Sequence, residues 1–486
     1  MRTPIILTGA VCLLAGVAAH AHSQRDLGRE TLQPDNGWAA SGSGVTGGSA
    51  AVDAQIYTVT NRAELIAALN NGVTSSTSPS NPSNEPKIIY VQGTIDANVD
   101  DANQPLACTD YYRNGFTIEQ FLATYDPAVW GRVAPTGPVE TARVASQQAQ
   151  QARVRIRLGS NTTIVGLGRD ATIRGAWFDI RGTAGVANSR TNIIVRNLTF
   201  QDTFDCFPAW APTDGALGSW NSQYDSISLR DSNNVWVDHN TFEDRATADE
   251  TLPLYFGVVF QVHDGLVDIT NASDLVTVSW NRFRNHDKTM LIGSSDTAAA
   301  DRGKLRVTLH HNWFDKIGQR APRVRFGQVH VYNNLYDVRS TPSYVYTWGV
   351  GIESALFAEE NFFIADRSFT VDQIIDRFNG TTLSVSGTLV VGPRVRNPVD
   401  VIAAWNAVND PDLGFDAGWT PTLNFELLPA GLTAGLGALQ VIPSDEDASM
   451  TFVWNVEPLT SLRPVSSIRY ELSPVLKTEG AKAPKL

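Results

Sequence analysis

Cysteine is scarce in this chain of 486 residues: Cys12, Cys108 and Cys206 are all it has. That rules out a disulfide-dense scaffold. Basic charge is also in deficit, with 38 Lys and Arg against 50 Asp and Glu, a formal net charge of -12 and a pI of about 5.2. So acidic a chain has no general attraction for nucleic acid or an anionic membrane, and an anionic ligand must be held by local features. Apolar runs are short. The one from Pro4 to Ala19 falls below a comfortable membrane span. With Arg2 before it and Ala19-His20-Ala21 after it, residues 1–21 read as a secretory signal peptide. Lipidation at Cys12 is the alternative, but Thr8-Gly9-Ala10-Val11 is a poor match to a lipoprotein cleavage site. The mature protein is therefore expected to be secreted and extracellular. It keeps Cys108 and Cys206, which form one disulfide if the fold brings them together; the sequence leaves that open.

What remains divides into a Gly/Ser-rich leading segment (22–50), read as extended loop, a single domain over 51–470, and a tail at 471–486. Nothing in the sequence suggests more than a monomer. "IYTVTNRAELIAALNN" predicts a strand, a turn and a short helix, and "PKIIYVQGTID" a buried strand. Residues 117–152, rich in Ala and Gln, predict helix and an excursion from the main architecture.

From about residue 153 short β-rich runs alternate with Asn, Asp, Gly and Ser, and an internal repeat emerges. "NNVWVDHNTF", "SDLVTVSWNRF", "KLRVTLHHNWF", "GQVHVYNNLY" and "SALFAEENFF" align Asn240, Asn281, Asn312, Asn334 and Asn361 at intervals of 41, 31, 22 and 27 residues. Two residues after each stands an aromatic: Phe242, Phe283, Phe314, Tyr336 and Phe363. An earlier copy, "NIIVRNLTF", lacks this Asn but keeps Phe200. Strands, an Asn at a fixed bend and a stacking aromatic are what a β-solenoid requires, because each coil hydrogen-bonds to the next. The fold class is therefore all-β, a parallel β-helix with loop and helical excursions; five registered copies count against a propeller or sandwich. In such a fold the loops of successive rungs emerge on one side, so distant residues can line one groove.

Three features on these rungs carry chemistry. Asp264 and Asp268 in "VHDGLVDIT" are four apart, so in extended chain they point the same way. Asp225 in "NSQYDSISL" fits a neighbouring coil. Three converging carboxylates suit a hard cation such as Ca²⁺, although by themselves they also suit solvated loops. Lys288 stands at a rung end, where a surface charge is the ordinary reading. In "QRAPRVRFGQVHVYNN", Pro322 is disfavoured inside a central strand, which puts Arg320 at the start of a rung, while Arg323 and Arg325 share the face opposite Val324. Together they predict a groove with a cation on one rung and a Lys/Arg stripe on the next, fitted to a polymer with regularly spaced carboxylates.

At "YDSISL", "VWVDHNTF", "HDGLVDI", "NHDKTMLIGSSD", "LRVTLHHNWF" and "QRAPRVRFGQVHVYNN" the chain closely resembles the pectate lyases of polysaccharide lyase family 1, extracellular bacterial type. The resemblance runs from about Gly37 to Trp348 and more weakly beyond. It implies a right-handed parallel β-helix and calcium-dependent β-elimination of α-1,4-linked polygalacturonate to 4,5-unsaturated oligogalacturonides. By position, Asp225, Asp264 and Asp268 match calcium ligands, Lys288 and Arg325 substrate-binding residues, and Arg320 the catalytic base. Asp238 and His239 match a signature whose expected role is structural. An arginine base implies an alkaline pH optimum, since a guanidinium is ordinarily protonated. Two departures stand out: Val258 and Val262 replace the Arg and His frequent in relatives, and Gln223 replaces an acid that some carry before the first calcium aspartate. A pectin lyase acting on methyl-esterified chains dispenses with calcium, so Asp264, Asp268 and Lys288 argue against it. Hydrolysis would need a pair of acid and base carboxylates, and none is evident.

Overall fold

The residue before each aligned asparagine adopts a left-handed conformation: His239, Trp280, His311, Asn333 and Glu360 have φ of +54, +56, +55, +50 and +51°. Each turns a corner between two strands, as from Asn233–Asp238 into Thr241–Glu243. Such a φ is disfavoured for these residue types, and the asparagine that follows supplies compensation. Asn240 Nδ2 donates to Asn281 Oδ1 at 3.0 Å, Asn281 to Asn312 at 3.1 Å, Asn312 to Asn334 at 3.0 Å and Asn334 to Asn361 at 3.2 Å. The same oxygens accept the backbone N–H of the preceding rung, so these buried amides are satisfied along the axis. In the copy without Asn, Leu198 donates its N–H to Asn240 Oδ1 at 3.1 Å.

The aromatics form the matching column inside. Phe200, Phe242, Phe283, Phe314, Tyr336 and Phe363 stack with successive centroids 5.0, 4.9, 5.0, 4.8 and 4.5 Å apart. That is close to the spacing of neighbouring strands, which is why one aromatic per rung fills the column.

This computed structural model describes residues 26–72, 82–393, 396–414, 416–419 and 421, with the backbone of two strands, Leu439–Pro443 and Met450–Trp454. The expected signal peptide and the tail at 471–486 lie outside the described residues. The chain winds as a right-handed parallel β-helix. Strands on either side of the asparagine corner form two ladders joined through the long strands Lys87–Asp96 and Thr162–Arg174. A separate sheet of eight parallel strands runs from Arg155–Arg157 through Trp177–Arg181, Ile227–Arg230, Val267–Thr270, Leu291–Ile292, Arg323–Val324 and Trp348–Gly351 to Ile375–Phe378. In it Ile156, Phe178, Ile180, Ile227, Leu229, Ile269, Ile292 and Val324 point into the core, and the alternate positions point out.

The excursion is helical as expected, with Ile118–Thr124, Pro127–Trp130 and Pro138–Val154. It has its own aromatic core, including Phe116, Phe121, Tyr125, Trp210 and Trp220, and Cys108 is joined to Cys206 beside it. The leading segment is more than extended loop. Short 3₁₀ turns at Leu27–Arg29 and Trp38–Ala40 bind it across the outside of the solenoid. There the Trp38 and Ala39 N–H groups donate to Thr308 and Thr277 hydroxyls, and Asn36 Oδ1 meets His310 Nε2 at 2.7 Å.

Candidate active site

Asp268 occupies an outward position of Val267–Thr270, in register with Ser228 of the adjacent strand. Asp225 and Asp264 stand in the connections that lead into those two strands. All three converge on Gly265. Asp225 is buried; its Oδ1 accepts the Gly265 N–H at 2.9 Å and its Oδ2 accepts from the Ser228 hydroxyl. Asp268 Oδ1 accepts the Leu291 N–H at 2.9 Å. A Cβ at Gly265 would fall 2.4 Å from Asp268 Oδ1 and 3.0 Å from Asp225 Oδ1, so the convergence requires a residue without a side chain.

The cluster is electrostatically uncomfortable by itself. Burial, and then the charge of Asp264, pushes the Asp225 carboxyl up. Burial, then Asp225 and Asp264, pushes Asp268 well above the usual carboxylate range, while the Leu291 amide and Arg320 pull it back. Crowded hard oxygens on a partly buried floor are the donor set a divalent oxygen-seeking cation relieves. The residues present therefore fit Ca²⁺.

The cations stand on the next rungs. Lys288 ends the strand Arg282–Lys288 in register with Gln319, the residue before Arg320. Among the described residues its ammonium forms no ion pair. Arg320 lies between the strands Trp313–Gln319 and Arg323–Val324, the rung start that Pro322 predicts. Its backbone is left-handed, φ +59°, and its carbonyl accepts the Met290 N–H at 2.8 Å. Its Nε is buried without a hydrogen-bond partner among the described residues. Beside it, burial pushes the Tyr346 hydroxyl up to about 12 against the pull of Arg320 and Arg323.

Arg325 is more committed than its sequence position suggests. Its Nε donates to Asp296 Oδ1 at 2.6 Å and its Nη1 to the Gly293 carbonyl at 2.9 Å, leaving it 9% exposed. Asp238 and His239 are structural, as the signature implies. Buried Asp238 binds Arg196 at 2.9 Å, His239 Nδ1 at 2.6 Å and the Ser279 hydroxyl at 2.7 Å.

A second polar group behind the site escaped the sequence reading. Asp244, Asp249 and His263 bring possible metal-ligating atoms within 4.8 Å of one another. Both nitrogens of His263 already face backbone carbonyls, Thr203 at 2.8 Å and Thr247 at 2.7 Å, so we read the group as a buttress. Its reach is through His286. Burial opposes charge on that ring, but Asp244 at 2.6 Å overrides it and raises the imidazole to about 9. The other nitrogen meets the carbonyls of Asp264 at 2.9 Å and Lys288 at 3.1 Å, tying a cation-site loop to the lysine strand. The only signal in the sequence was the place of His286 two residues before Lys288.

Comparison with known proteins agrees with this arrangement. The family model for pectate lyases matches residues 133–406. The chain is 42% identical over 418 residues to a pectate lyase of Bacillus subtilis (strain 168), covering 85% of this chain and 93% of that one. It is 34% identical over 408 residues to pectate lyase D of Dickeya chrysanthemi, covering 80% and 88%. Among solved structures, a thermostable pectate lyase superposes with a TM-score of 0.79 at 44% identity, over 85% of this chain and 99% of that one. A pectate lyase bound to a hexasaccharide superposes with a TM-score of 0.77 at 40% identity, over 85% and 99%.

Proposed function

This chain belongs to the pectate lyase family and is a polysaccharide lyase, and from that premise we propose that it is a secreted, calcium-dependent enzyme that cleaves α-1,4-linked polygalacturonate by β-elimination. One observation carries the reading: three crowded carboxylates around Gly265 sit one rung from Lys288 and Arg320, two cations without carboxylate partners of their own. The leader-like residues 1–21 and the joined Cys108 and Cys206 support export.

Asp225, Asp264 and Asp268 would hold the calcium ion. When bound, it supplies positive charge to a galacturonate carboxylate and so favours ionisation at the neighbouring carbon. Lys288 neutralises the same carboxylate from the adjacent rung as charge builds on it. Arg320, at the rung start, takes the C5 proton on a guanidine nitrogen. The C5–H electron pair becomes the C4–C5 double bond, and the C4–O bond breaks with its pair on the leaving oxygen. The products are a 4,5-unsaturated end and a new free end, and no water enters the bond. Gly265, by admitting the carboxylates, and His286, by fixing Asp264 and Lys288 through their carbonyls, hold the constellation together.

The test is ultraviolet absorbance of the purified protein with polygalacturonate, first with Ca²⁺ and then with excess chelator. Absorbance should rise with Ca²⁺ and stop with chelator, because only the unsaturated product absorbs. Rising reducing ends with flat absorbance would mean hydrolysis and would defeat the proposal.

A further inference from the structure

The same outward sheet face that carries Asp268 continues toward the N-terminus as an arginine floor. Arg157, Asp179, Ser228 and Asp268 are in register on four successive strands, and Arg181 and Arg230 are in register two positions along. Arg155, two residues before Arg157, is in register with Trp177. The Arg155 and Arg230 guanidinium carbons lie 5.8 and 5.4 Å from the Trp177 ring centroid, which fixes them as half-buried cations.

The acids available to these four arginines are few. Asp179 is fully buried and shared, 3.6 Å from Arg157 and 3.3 Å from Arg181, and Asp231 acts on Arg181. Among the described residues neither Arg155 nor Arg230 donates a hydrogen bond or reaches a carboxylate. In a chain of net charge -12, a preorganised group of cations left without anions marks a place where an anion comes from outside. The floor also touches the cation site: Trp177 Nε1 donates to the Ser228 hydroxyl at 2.7 Å, and that hydroxyl donates to Asp225.

We propose that Arg155, Arg157, Arg181 and Arg230 form a remote subsite that holds carboxylates of a polyuronate chain on the side of the cation site away from Arg320. The inference rests on the function proposed above. Three strand spacings separate the Arg155–Arg157 strand from that of Asp268, roughly 14 Å at about 4.8 Å each. Only a long substrate engages both the floor and the lyase centre, so the subsite favours polymer over short oligomers.

The experiment compares kcat/KM on polygalacturonate with that on a galacturonate trimer, at one ionic strength and saturating Ca²⁺, for wild type and Arg155→Ala/Arg230→Ala. The polymer-to-trimer ratio is expected to fall about tenfold in the variant. An unchanged or raised ratio overturns the subsite. Arg155→Lys/Arg230→Lys keeps both charges and should recover most of the ratio; failure to recover it would assign the loss to packing on Trp177 and overturn the subsite equally. If the double alanine variant does not fold by circular dichroism, Arg230→Gln carries the same comparison with an expected fall of about threefold. A wild type that turns over neither substrate overturns the proposed function, and the subsite with it.

Discussion

Replacing Asp268 by asparagine should abolish activity yet stabilise the ion-free protein. Two oxygens lying 2.4 and 3.0 Å from one point are at most about 5.4 Å apart, which bounds the distance between Asp268 Oδ1 and Asp225 Oδ1. At that separation and an effective dielectric of about 20, two full charges repel by about 3 kcal/mol. Asparagine removes one charge and keeps an oxygen for the Leu291 N–H. The pH sign follows from the raised Asp268 carboxyl. The unfolded chain ionises first, near pH 4, so the ion-free fold loses stability as pH climbs through that value and on to the folded pKa; below both the penalty vanishes. In chelator at pH 8, Asp268→Asn should therefore melt higher than wild type, by up to about 5 °C for a domain of this size. Ca²⁺ at a hundred times its Kd adds about 2.7 kcal/mol to wild type and should reverse the order, because the variant has lost a ligand. Thermal unfolding by circular dichroism, with chelator and with Ca²⁺ at pH 8 and pH 4, reads all four values. A variant that melts below wild type in chelator at pH 8, or gains as much from Ca²⁺, would refute the reasoning.

Two further outcomes concern the scaffold. Asn281→Leu removes four buried hydrogen bonds, to Val237, to Asn312 and two from Asn240; at about 1 kcal/mol each this costs about 4 kcal/mol in a urea titration, and a loss below about 1 kcal/mol would contradict the ladder's role. Burial pushes His311 down to about 3, so it stays neutral in the fold while the unfolded chain protonates from about pH 6.5 downward. Its contribution is intact above pH 6.5 and lost as pH falls toward 3, about 3 kcal/mol of it by pH 4.5; a melting temperature that does not fall between pH 7 and 4.5, or the same fall in His311→Asn, would count against it.

The parts of this molecule that were legible in the sequence are those set by local rules. The asparagine ladder could be read because every rung needs the same residue at the same corner, whatever the loop length between corners. Asp264 and Asp268 could be placed together because parity within one strand is local, and Arg320 because Pro322 ends a strand wherever it falls. What could not be read depends on which strands become neighbours. Asp296 holds Arg325 from 29 residues away across a rung. Asp244 reaches His286 from 42 residues away. Arg155, Arg181 and Arg230 each look like ordinary outward arginines until the register aligns them, and coil lengths in this chain are too uneven to supply that register in advance.

Charge on the outward face of the eight-stranded sheet changes sign twice along the axis. Arginines come first, then the three carboxylates, then Lys288, Arg320 and Arg323. A polyanion laid along this face meets attraction at both ends and repulsion in the middle, where the chemistry has to happen. Inverting the sign of the middle needs a bound cation, so on the proposed reading calcium dependence follows from the layout itself as well as from the needs of the reaction. The same layout explains why a protein of net charge -12 can act on an acidic polymer. The repulsive field of the whole molecule is screened beyond about 10 Å at ordinary salt, whereas contacts on a rigid ladder of rungs operate within that distance. Binding is therefore decided by the local order of signs on one face.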